Sequence, residues 1–110
     1  MTKIIVKYDK SLCSFIELSG HAGYAKSGYD IVCSGITTAT FTSINLIEKI
    51  NRDCFKLDVK DDAGYLHMSL DYQILSNTDI EFIQLIIRNL IDMYEEIKRN
   101  YPKYLKIEIL

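Results

Sequence analysis

Apolar residues recur at every second position in five short stretches of this chain, and at steps of three and four in two long ones. The first period is that of a strand with one buried face, the second that of a helix with one apolar stripe. Their succession along 110 residues predicts the order β-β-α-β-β-α-β. A chain of this length holds one domain, residues 1–110. Residues 3–8 place Ile4 and Val6 on one face. Residues 12–19 form a second strand after the tight polar link Asp9-Lys10-Ser11. Residues 55–60 put Phe55, Leu57 and Val59 inward and Lys56, Asp58 and Lys60 outward. Residues 65–72 put Leu66, Met68 and Leu70 on one face, which leaves His67 on the solvent or partner side. The tail from Tyr104 to Leu110 alternates once more. Two hairpins make most of the sheet antiparallel, and the helices must bury their stripes against it. The fold class expected is an α+β two-layer sandwich.

The first helix spans residues 31–50, with a stripe of Ile36, Ala39, Phe41, Ile44, Ile47 and Ile50. Four threonines between 37 and 42 lower its intrinsic propensity, so tertiary packing has to hold it. Asp30 suits the N-cap and Asn51 the C-terminal stop. The second helix, about 22 residues long, carries Ile83, Ile87, Leu90, Tyr94, Ile97 and Tyr101 at helical spacing. Thr78-Asp79-Ile80-Glu81 reads as its capping box, with Thr78 as the cap. Tyr101-Pro102 ends it.

The net charge of −2 opposes a broad basic face, so no direct nucleic-acid binding is expected. No apolar run reaches the ~18 residues of a membrane span, and the first residues lack a signal-peptide pattern. The expected compartment is the cytoplasm. Three cysteines without a CxxC pair argue against a zinc ribbon or thioredoxin-type site. His21, Cys33 and His67 match no standard zinc spacing, so no metal is expected. Cys13 and Cys54 read as small buried packing residues.

Chemistry concentrates in residues 20–37. His21 lies where a strand runs out into a glycine-containing loop, and Cys33 lies in the first turn of the helix. The positive end of a helix dipole favours a thiolate. An imidazole within reach takes the thiol proton, and backbone amides at the same helix end can hold an oxyanion. These are the parts of a cysteine hydrolase. The residues alone leave a second reading open, with His21 a polar loop residue and Cys33 a packing residue of the helix.

The string Gly20-His21-Ala22, followed after a short loop by Gly28-Tyr29-Asp30-Ile31-Val32-Cys33, resembles the signature of the ribosomal-processing cysteine protease family called Prp, the YsxB-like proteins. The resemblance implies a cytoplasmic bacterial endopeptidase with a Cys–His dyad and no cofactor, typically a homodimer. Its substrate would be large-subunit ribosomal protein twenty-seven, shortened at its N-terminus by a cut after Phe. The nucleophile carries over to Cys33 and the base to His21. Asp30 orients the site or simply caps the helix; both explain it equally well. Two positions depart from the family pattern. Ser34 stands where Ala usually follows the nucleophile, and Thr37 stands where Ser is common. The amides of Cys33 and Ser34 are the candidate oxyanion hole. Gly23 and Gly28 bracket a loop that either closes over substrate or is a plain surface loop, and Tyr24 and Tyr29 within it either touch substrate or pack the loop. A non-catalytic ribosome-associated factor that binds a ribosomal protein is the competing reading, and a redox or metal protein the third.

Overall fold

The hairpin that starts the chain shows how local rules set the frame. In the computed structural model, which describes residues 1–20, 31–60 and 64–110, β1 (Thr2–Asp9) and β2 (Leu12–Ser19) pair antiparallel. Asp9 faces Leu12, which leaves a two-residue turn of Lys10 and Ser11. Both have positive φ, 51° and 69°, as the right-handed twist of a two-residue hairpin demands. Further along, Lys7 faces Phe15 but Tyr8 faces Cys13, so Ser14 is an extra residue in β2. This bulge turns Cys13 onto the same face as Ile16 and Leu18, and all three are buried.

The remaining elements are α1 (Ile31–Ile50), β3 (Phe55–Lys60), β4 (Tyr65–Leu70), α2 (Asn77–Asn100) and β5 (Leu105–Ile109). The five strands form one sheet in the order β3-β4-β2-β1-β5. Every pairing is antiparallel except that of β1 with β5, which is parallel because α2 carries the chain between the ends of the sheet. The expected order of elements and the two-layer sandwich are both realised. Ile4, Val6, Ile16, Leu18, Leu66, Met68 and Leu105 of the sheet meet Val32, Ile36, Ile44 and Ile47 of α1 and Ile83, Ile87, Leu90 and Tyr94 of α2 in a single core. Each such side chain contributes about 1.5–3 kcal/mol on burial.

Three expectations are corrected. Phe41 is not in the buried stripe of α1; it is 40% exposed. Thr40 and Ser43 are buried instead. They can be, because their hydroxyls donate back to the helix, Thr40 to the Ile36 carbonyl at 2.7 Å and Ser43 to that of Ala39 at 2.9 Å. Thr40 Oγ1 and Tyr94 Oη are 2.5 Å apart. Since Thr40 gives its one proton to Ile36, the Tyr94 phenol donates to Thr40, and α1 is joined to α2 inside the core. Second, Leu57 and Val59 are 39% and 38% exposed. They keep the predicted alternation, but β3 ends the sheet and is covered from one side only. Third, the N-cap of α2 is Ser76, whose Oγ accepts the Asp79 N–H at 3.1 Å, two residues before the expected Thr78. Ser76 has the extended backbone a cap requires, whereas Thr78 is already helical. The other helix end is as expected: the Asn51 N–H donates to Ile47 and its side chain accepts from the Asp53 N–H. The expected cap Asp30 lies outside the described residues.

The β1–β2 turn has the geometry of an Asn-Gly turn without its residues. Lys10→Asn combined with Ser11→Gly should raise stability by about 1 kcal/mol, seen by calorimetry as a Tm increase of about 4–8 °C. An unchanged or lower Tm would show that the left-handed turn carries no strain.

Candidate active site

Antiparallel pairing brings four strand termini to one end of the sheet. Lys3 pairs with Ser19, Ser19 with Tyr65, and Tyr65 with Lys60. The start of β1, the end of β2, the start of β4 and the end of β3 therefore lie side by side. The N-terminal half of α1 lies over the same end. Between them opens a cleft of about 670 Å³, counting its mouth. The strands contribute Thr2, Leu18, Val59, Tyr65 and Leu66, the residues next to their ends Gly20 and Gly64, and α1 contributes Cys33, Ile36, Thr37 and Phe41. Cys33, Thr37 and Phe41 are spaced by four, so they form one line along the helix. That line explains the exposure of Phe41: it faces the cleft rather than the sheet.

Cys33 is the third residue of α1 and half-buried in the cleft wall. Its neighbour Ser34 is exposed. His21, Gly23, Tyr24, Gly28, Tyr29 and Asp30, the other predicted site residues, lie outside the described residues. The structure thus joins Cys33 to a set of cleft residues that the sequence did not single out: Thr2, Leu18, Ile36, Phe41, Val59 and Leu66. The alternation of Val59 and Leu66 and the helical spacing of Ile36 and Phe41 were visible, but the register that gathers the set was not. Thr37, noted in the sequence as a hydroxyl four residues beyond Cys33, also lines the cleft. At the cleft margin Gly20 has φ +82°, and a Cβ there would stand 2.6 Å from the Met1 carbonyl oxygen. A side chain at this position meets both backbone strain and a backbone clash.

The other two cysteines have different surroundings. Cys13 is fully buried, and its thiol points at the Phe15 carbonyl. Burial pushes that thiol up to about 12. The bulge around it is tied to α2: Tyr72 donates to the Cys13 carbonyl, Gln84 donates to the Tyr72 oxygen, and the Cys13 N–H donates to Gln84. Cys54 is fully buried too, and its thiol is also raised, by burial first and by the nearby carboxylates Asp71, Asp53 and Asp79 after it. Neither thiol is ionised near neutral pH. His67 is on the opposite face of the sheet from the core, stacked on Phe15 with ring centroids 4.8 Å apart. Among the described residues no cluster of His, Cys, Asp and Glu could hold a metal ion. No described helix is long and apolar enough to cross a membrane.

The sequence profile described as Cysteine protease Prp matches residues 1–106. Among curated proteins, the ribosomal processing cysteine protease Prp of Bacillus subtilis is 32% identical over 100 residues, which cover 91% of this chain and 88% of the relative. That of Staphylococcus aureus is 25% identical over 108 residues, covering 97% and 96%. Among solved structures, the S. aureus ribosomal processing protease Prp with a covalently linked product peptide superposes with a TM-score of 0.85 at 22% identity, over 100% of both chains. SMU.848 from Streptococcus mutans superposes with a TM-score of 0.82 at 26% identity, over 100% of this chain and 94% of that one.

Exposure and thiol chemistry together predict selective alkylation. Iodoacetamide at pH 8 should label the native protein once, at Cys33, and three times in denaturant, as read by peptide mass spectrometry. Native labelling at Cys13 or Cys54 would contradict the burial described above. Gly20→Ala should lower stability by about 1 kcal/mol or more in a denaturant titration.

Proposed function

Since this chain belongs to the cysteine protease Prp family, we propose that it removes a short N-terminal extension from large-subunit ribosomal protein twenty-seven during ribosome assembly, cutting after Phe. The observation that carries this reading is the position of Cys33, in the first turn of α1 and in the wall of an apolar cleft. Thiol, helix end and cleft are what hydrolysis of a peptide with an aromatic residue requires. The reading places the enzyme in the cytoplasm, as a single-domain protein acting without a cofactor. It works as a homodimer; light scattering at micromolar concentration tests that point, and a monomer there would count against it.

In the proposed reaction His21 takes the proton of Cys33. The thiolate sulfur then bonds to the scissile carbonyl carbon. The amides of Cys33 and Ser34 donate to the oxyanion that forms. His21, now protonated, gives its proton to the leaving amine as the carbon–nitrogen bond breaks. Water, with His21 again as base, hydrolyses the thioester and frees the thiol. Asp30 orients His21 or caps α1, and the loop carrying Gly23, Tyr24, Gly28 and Tyr29 covers the bound peptide. The apolar walls formed by Ile36, Phe41 and Leu66 suit an aromatic side chain next to the cut.

A synthetic extension ending in Phe-Phe before a small residue tests the reading by mass spectrometry. Wild type should cut once, after the second Phe. Cys33→Ala and His21→Ala should each lower the rate by about 10³-fold or more. Cleavage by Cys33→Ala at the wild-type rate would overturn the assignment of the nucleophile. Folded wild type that binds the peptide without cutting it would favour the binding-factor reading.

A further inference from the structure

The helices bury one face of the sheet, and alternation sends every second strand residue to the other. The register sorts that outer face into lanes. Lysines stand on the flanking strands: Lys56 and Lys60 on β3, Lys3 and Lys7 on β1, and Lys106 on β5. Between them lie rings, those of His67 and Tyr65 on β4 and of Phe15 on β2. Lys56 and Lys7 end one row across the strands, with Ser69 and Phe15 between them. Lys60 and Lys3 end another, with Tyr65 and Ser19 between them. At about 4.8 Å per strand, each pair of lysines brackets about 14 Å of sheet.

Three carboxylates share the face, Asp58, Glu17 and Glu108, all in the middle row beside His67. Five lysines against three carboxylates give it a charge of +2, while the whole chain carries −2, so everything else sums to −4. Net charge argued against a basic face because it averages over two unlike sides. Glu108 is engaged by Lys3 at 3.4 Å and Lys106 at 3.6 Å. Glu17 accepts from the Tyr65 phenol at 2.9 Å. Among the described residues Lys7, Lys56 and Lys60 are exposed and in no salt bridge. Phe15 and His67 stack with centroids 4.8 Å apart, and the Lys60 ammonium is 5.6 Å from the Tyr65 centroid. All three rings are half-buried, so each keeps open surface.

We propose that this outer sheet face is a docking surface for single-stranded RNA. Bases lie on the rings of β4 and β2, and phosphates reach the lysines on either side. Every base has a π-face, so this contact tolerates any sequence. The middle-row carboxylates favour RNA over DNA. A carboxylate only accepts, and the ribose 2′-hydroxyl is a donor that deoxyribose lacks. A duplex keeps its bases stacked away from the rings, and an acidic peptide would match the lysines but leave the rings unused. The row of Phe15 is at the end of the sheet away from the cleft, so RNA held there leaves Cys33 accessible. The proposal does not depend on what the cleft cuts.

A fluorescein-labelled oligouridine of twelve nucleotides tests this by anisotropy, beside the deoxyuridine oligomer that differs only in lacking the 2′-hydroxyls. The RNA should bind, and raising KCl from about 50 to about 200 mM should weaken it about tenfold. The deoxy oligomer should bind about threefold more weakly or worse. Lys7→Glu with Lys56→Glu, both exposed and far from the cleft, should weaken RNA binding about tenfold or more. Lys49→Glu with Arg88→Glu makes the same charge change on exposed positions of the helix layer and should stay within about twofold of wild type. Phe15→Leu keeps apolar bulk but removes the ring, and should cost about tenfold. No binding of the RNA at about 100 μM protein, equal losses in the two charge-reversed proteins, or equal binding of the deoxy oligomer would overturn the proposal. So would displacement of the RNA by an oligoglutamate peptide of equal charge, which would mark a surface for acidic peptides. A dimer in light scattering that Lys7→Glu with Lys56→Glu turns into a monomer would also overturn it, by making the face an interface between copies. Peptide cleavage is read separately: its absence would sink the proposed function and leave this one standing.

Discussion

The antiparallel register of β1, β2, β4 and β3 is the constraint on which the rest of the molecule depends. Ladder hydrogen bonds leave no freedom to slide, because a one-residue slip would carry every apolar side chain to the wrong face. With the register set, four strand ends must meet at one edge. The chain leaves β2 at that edge and enters α1 there. The first turn of α1, with Cys33, is thereby brought to a rim built by residues far away in sequence. The site is a consequence of sheet pairing before it is a consequence of any motif.

The helices are held by a core that carries a few polar groups, and nearly all of these are spent on structure. Thr40 and Ser43 return their protons to α1, and Tyr94 crosses from α2 to Thr40. Gln84 bonds both to Tyr72 and to the backbone at the β2 bulge. Buried polar pairs of this kind specify one arrangement over others, since any other packing leaves a donor or acceptor unmet. They compensate for the weak intrinsic propensity of the threonine-rich α1. Among the described residues Thr2 is the exception, a buried hydroxyl without a hydrogen-bond partner.

Much of this was legible in the amino-acid sequence. Strict alternation marked the strands, and steps of three and four marked α2, because one-sided burial imposes those periods. Both helix and strand boundaries followed to within a few residues. The short span with Gly20, Gly28 and Cys33 pointed to Cys33 as a candidate nucleophile, since a thiol in the first helical turn has a chemical meaning independent of the fold. Other features were hidden for physical reasons. Phe41 has the spacing of a core residue, yet its side of the helix meets the open edge of the sheet. Leu57 and Val59 alternate like buried residues, yet β3 is the last strand. The extra residue Ser14 restores Cys13 to the core face, which no periodicity announces.

The sequence by itself determined the elements, their order, and the placement of a cysteine at a helix start, because these depend on neighbours within a few residues. The tertiary structure alone decided the strand order, the parallel partner of β1, and the meeting of Thr2, Leu18, Cys33, Phe41, Val59 and Leu66 around one cleft. Those depend on which hydrogen-bonding edges find each other across long stretches of chain. Local preference is silent on that choice, and only the packing of all elements at once resolves it.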